Sequence, residues 1–103
     1  MAWIESHQSL ARHPKMRRLA RKLGVSTPTA IGHLHLLWWW ALDYAPDGEL
    51  SGVDTVDIED AMEWTGEPGV MCRALITTGF VDDDGDGGLW LHDWRPSGIG
   101  AQQ

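Results

Sequence analysis

A chain of 103 residues, 43% of them hydrophobic, has room for one domain around one core and excludes a second. Its single cysteine, Cys72, rules out an internal disulfide, and Met1 to Leu10 show no basic start followed by a long apolar run, so the expected compartment is the reducing cytosol. The formal net charge of −7 is divided unevenly: residues 1–45 hold six basic and two acidic side chains, and residues 46–103 hold two basic and thirteen acidic ones, a split that offers a basic surface to an anionic partner or an attraction between copies.

Trp3-Ile4 reads as a strand or an extended arm, and Ser9 to His13 as a turn or a helical lead-in. The first helix is expected from Pro14, since a proline in the first turn gives up an N–H that would be unpaired anyway. Met16, Leu19, Ala20 and Leu23 recur at helical spacing and mark its buried face, with Gly24 as its left-handed cap. Lys15, Arg18, Arg21 and Lys22 project elsewhere. They suit either a solvated face whose late cations favour the helix dipole or a surface for an anion.

Ser26 or Thr27 caps the second helix, which runs to about Ala45 before the Pro46-Asp47-Gly48 turn. Ala30, Leu34, Leu37, Trp38, Ala41 and Ala45 form one face, and Leu36, Trp39 and Trp40 fall largely on another. A helix apolar nearly all round is buried on more than one side. Either the Trp38-Trp39-Trp40 run is internal, or Leu36, Trp39 and Trp40 form a patch for self-association. Seven Trp in so short a chain, each burying a large area, suit a core dense for its size. The longest apolar run, Leu36 to Leu42, falls short of the roughly 20 residues that span a bilayer, so no membrane partner is expected.

Glu49-Leu50 suits a very short strand. Asp54 or Thr55 then caps a third helix with Ile58, Ala61 and Met62 inward, and Thr65-Gly66-Glu67 breaks it. Pro68 is expected to begin a fourth helix, with Met71, Ala74 and Leu75 inward and Gly79 at its end. Two short helices across a tight Gly-containing turn have the spacing of a helix-turn-helix. Phe80-Val81 and Leu89 to His92 read as strands around a polar loop, Asp82 to Gly88. The order predicts a mainly α (α+β) winged helix-turn-helix, with about four helices and a C-terminal β-hairpin wing. It would occupy residues 1–95, with residues 96–103 a tail or the start of a linker.

An ordered series of residues carries a family resemblance: Trp3-Ile4, His13-Pro14-Lys15, Leu19-Ala20, Leu23-Gly24, Gly32, Leu37-Trp38, Ala41-Leu42, Asp47-Gly48-Glu49-Leu50, Asp57-Ile58, Trp64-Thr65-Gly66, Leu75, Gly79-Phe80 and His92-Asp93-Trp94. Over about residues 3–94 the chain resembles the N-terminal winged-helix domain of phage replication-initiation proteins, or replisome organisers, of the DnaD-like family. The resemblance implies phage or prophage DNA replication, binding of an origin or of single-stranded DNA, self-association, and other replication proteins as partners. It implies a winged-helix fold. No cofactor is expected.

The residues themselves sharpen where DNA would touch. A conventional winged helix lays its second motif helix in the major groove. Here that helix offers Arg73 as its only cation and one further candidate contact, and the wing carries Asp82, Asp83, Asp84 and Asp86, which phosphate would repel. The basic surface at Arg12, Lys15, Arg17, Arg18, Arg21 and Lys22 is the better candidate, because neutralised phosphates and released counterions supply most of the affinity for nucleic acid. Asp82 to Asp93 also fits the oxygen spacing of a calcium loop, but its flanks read as strands and its last position is Asp in place of Glu. The histidines have no metal spacing: His33 and His35 point to different sides of a helix, and Cys72 is isolated. No phosphate-binding glycine loop and no nucleophile motif occur, so no catalysis is expected, and Glu59 and Glu63 read as surface charge.

Overall fold

The computed structural model describes residues 12–92. Trp3-Ile4, the start of the lead-in, the triplet's Asp93-Trp94 and residues 96–103 lie outside them. The chain folds as four helices followed by a hairpin: α1 (Pro14–Leu23), α2 (Thr27–Tyr44), α3 (Thr55–Ala61), α4 (Val70–Thr78), β1 (Val81–Asp83) and β2 (Leu89–Leu91). This is the winged-helix arrangement that the element order predicts.

Local chemistry fixes the first boundaries. The His13 ring accepts the Lys15 N–H at 3.1 Å and caps α1, with Pro14 as its first residue. Gly24 stops α1 at φ 70°, a left-handed conformation that glycine adopts without Cβ strain. Val25 then donates back to the Ala20 carbonyl at 3.1 Å, closing the last turn. Ser26 caps α2 by accepting the Thr29 N–H, and Asp54 caps α3 by accepting the Val56 N–H at 3.0 Å.

The core gathers one side of every element. Met16, Leu19, Leu34, Leu37, Leu50, Ile58, Met62, Met71 and Leu75 are fully buried. Among the described residues no Trp is buried: Trp38, Trp40 and Trp64 pack partly against the core, and Trp39 and Trp90 are exposed. Aliphatic and Met side chains fill the narrow space between helices, and the large rings seal its margins.

The wing is an antiparallel pair with Val81 opposite Leu91, Asp82 opposite Trp90 and Asp83 opposite Leu89. Its first strand begins one residue later than expected, because Phe80 still belongs to the turn after α4, donating to the Leu75 carbonyl. The Glu49-Leu50 strand is reduced to one bridge, Glu49 to Trp90, framed by Leu50 N–H to Leu89 O at 2.7 Å and Leu91 N–H to Gly48 O at 2.8 Å. These bonds tie the wing to the end of α2.

The connection between α3 and α4 is longer than a tight turn, covering residues 62–69. The fourth helix starts at Val70 and not at Pro68, since Gly69 stands at φ 89° and cannot be its first helical residue. Three ties hold the connection. The His33 ring nitrogen donates to the Met62 carbonyl at 2.6 Å, the Trp64 indole N–H donates to the Glu67 carbonyl at 3.0 Å, and the His33 and Trp64 rings meet edge to face. The Trp64 ring lies so close over Gly66 that a Cβ there would collide with it.

Candidate nucleic-acid interface

The buried stripe of α1 leaves one side free. At about 100° per residue, Arg17, Arg18, Arg21 and Lys22 occupy a continuous arc of roughly 140° opposite that stripe. All four are exposed. None of them has an ion pair among the described residues, where the one salt bridge joins His92 to Asp82. Arg12, also exposed, stands before the helix, and with Arg17 it rims an open depression of about 640 Å³ completed by Thr27, Pro28 and Ile31.

Lys15 belongs elsewhere. Its ammonium donates to the Gly79 carbonyl at 2.9 Å and stands 4.7 Å from the centre of the Phe80 ring. It holds the end of α4 to α1, and its charge offsets the negative end of the α4 dipole. The sequence placed it with the other cations of α1, but its charge is spent inside the fold.

The helix-turn-helix surface has a different character. Glu59 is 6% exposed, so reading it as surface charge is incorrect. Its carboxylate accepts the Gly69 N–H at 3.0 Å and the Cys72 N–H at 3.1 Å. A helix start with free N–H groups attracts phosphate. At α4 a carboxylate of the same chain already fills that place. Glu63 is exposed, as expected. Arg73 is exposed on α4, and Thr77 donates its hydroxyl to the Arg73 carbonyl.

Asp82, Asp83, Asp84 and Asp86 are all exposed. Two of them serve the loop itself. Asp83 accepts the Gly85 N–H at 2.9 Å, and Asp84 accepts those of Asp86 and Gly88 at 2.8 and 2.9 Å. The loop joins two strands, and among the described residues no three His, Cys, Asp or Glu side chains are grouped to hold a metal ion. His33 and His35 point to different partners, the Met62 and Ile31 carbonyls.

Cys72 is buried, and its thiol is pushed up to about 11 by that burial, then by the negative charge of Glu59 and a hydrogen bond to it. A thiol so high in pKa is a poor nucleophile at neutral pH.

On α2 the tryptophan run divides between its two readings. Trp38 and Trp40 pack partly against the core, with Trp40 against Tyr44 at 5.5 Å between ring centres. Trp39 is 54% exposed and Tyr44 72%, while Leu36 is half-buried. No helix among the described residues is long and apolar enough to cross a membrane. In comparisons with known proteins, the chain matches no family model, no curated protein and no solved structure.

Proposed function

We propose that this chain is a self-associating DNA-binding domain of the phage replication-initiation type, which meets DNA through the outer side of α1. The observation that carries the reading is the arc of four exposed, unpaired cations, Arg17, Arg18, Arg21 and Lys22, with Arg12 beside it. Four or five phosphate contacts give modest, mostly sequence-independent affinity. Two further observations support α1 over α4 as the contact: the α4 start is filled by the Glu59 carboxylate, and the wing carries four exposed aspartates. The assignment to replication is supported by the residue series that resembles replisome organisers.

The same acidic wing favours a second reading, a protein–protein assembly module on a winged-helix frame with no DNA contact. Fluorescence anisotropy with labelled duplex and single-stranded DNA separates the two. Binding that weakens with salt and disappears in an Arg18→Glu/Arg21→Glu variant supports the first, and no binding at low salt supports the second.

A further inference from the structure

The outer side of α2 carries a pattern that the DNA reading does not use. Thr29, Gly32, Leu36, Trp39 and Asp43 follow one another at alternating intervals of three and four residues, the spacing of a coiled-coil seam. Four of the five are exposed, and Leu36, at the centre, is half-buried. A Cβ built at Gly32 meets nothing within 4 Å, so the seam has a gap on one side of Leu36 and the large exposed Trp39 ring on the other. Gap and ring are nearly equidistant from Leu36 along the helix.

The charges follow the same symmetry. Apart from its histidines, the 18-residue helix has one side chain charged at neutral pH, Asp43. It stands near the C-terminal end, where the helix dipole disfavours an acid, while the first turn lacks any acid and the last turn any base.

We propose that a second copy of this chain docks on this seam, its α2 antiparallel to the first about a two-fold axis at Leu36. Trp39 of each copy then enters the gap at Gly32 of the other, as a knob enters a hole. Asp43 of each reaches the first turn of the other's α2 near Thr29, where the dipole favours an acid. A face that complements itself in this way closes as a symmetric dimer and does not propagate as a filament. The seam contains none of the α1 cations. One helix pair makes a contact smaller than the roughly 800 Å² per partner of a standard interface, so dimerisation is sought across the micromolar range. The inference deepens the self-association half of the proposed function and rests on it.

Sedimentation equilibrium on the full chain tests it. The native mass rises from 11.5 kDa toward twice that value across the micromolar range. Gly32→Arg and Trp39→Glu, both at exposed positions and checked for native circular dichroism, weaken the dimer at least about tenfold. In a Cys72→Ala background, Leu36→Cys crosslinks with itself on oxidation. Thr29→Cys crosslinks with Asp43→Cys and not with itself. A chain that stays monomeric, or a dimer indifferent to both surface variants, overturns the interface. Self-crosslinking of Thr29→Cys, or none of Leu36→Cys, overturns the antiparallel arrangement. DNA anisotropy on Trp39→Glu reads the other half independently, because a monomer that still binds through Arg18 and Arg21 keeps the DNA reading whatever becomes of the dimer.

Discussion

Glu59 and Cys72 join the two helices of the helix-turn-helix: the Glu59 carboxylate accepts the Cys72 N–H at 3.1 Å, and its other oxygen accepts that of Gly69 at 3.0 Å. Removing it orphans two N–H groups at the start of α4, one of them buried. A buried hydrogen bond to a charged group is worth about 1.5–3 kcal/mol. Glu59→Ala therefore lowers unfolding free energy by about 3 kcal/mol in urea titration, and Glu59→Gln, which keeps one acceptor oxygen, by about half as much. Equal stability of Glu59→Ala and the native chain would contradict this role.

Cys72 supplies a pH signature. The folded chain holds the thiol proton more tightly than the unfolded chain, whose thiol titrates near 9.0, while the folded thiol titrates at about 11. The associated stability is complete below pH 9 and is lost as pH rises through 11, by at most about 3 kcal/mol. Relative to Cys72→Ala, the native chain loses stability across that window. At pH 8, alkylation by iodoacetamide is slower in the folded chain than in the urea-unfolded chain by at least about 100-fold.

How much of this was legible in the sequence follows from the range of each interaction. Gly24, Ser26 and Asp54 act within a few residues, and each stands where its chemistry predicts. Met16, Leu19, Ala20 and Leu23 repeat with the period of the helix that buries them. Glu59 looked like surface charge, because its burial comes from α4, which begins eleven residues further on. Lys15 looked like one more cation of α1, because its acceptor lies 64 residues away. The Trp38-Trp39-Trp40 run leaves two readings open in the sequence, because size favours burial while helices packed through Leu, Met and Ala leave the rings at the margin.

Lys15 and its neighbours on α1 separate by experiment. Lys15→Met keeps much of the apolar stem and loses the bond to Gly79 and the charge over Phe80. The expected loss of stability is about 1 kcal/mol, with DNA affinity changed less than twofold. Arg18→Ala behaves in the opposite way, leaving thermal unfolding within about 0.5 kcal/mol of native and lowering DNA affinity several-fold at low salt. Parallel effects of the two substitutions on DNA binding would return Lys15 to the contact surface.

DNA contact through the exposed cations of α1 is read by anisotropy of labelled duplex and single-stranded DNA between about 50 and 200 mM salt. Contact through α1 predicts a log–log salt slope of about −4 for the native chain. It also predicts loss of binding in Arg18→Glu/Arg21→Glu and retention in Arg73→Ala. Absence of binding at 50 mM salt, or binding lost in Arg73→Ala and kept in Arg18→Glu/Arg21→Glu, would contradict it.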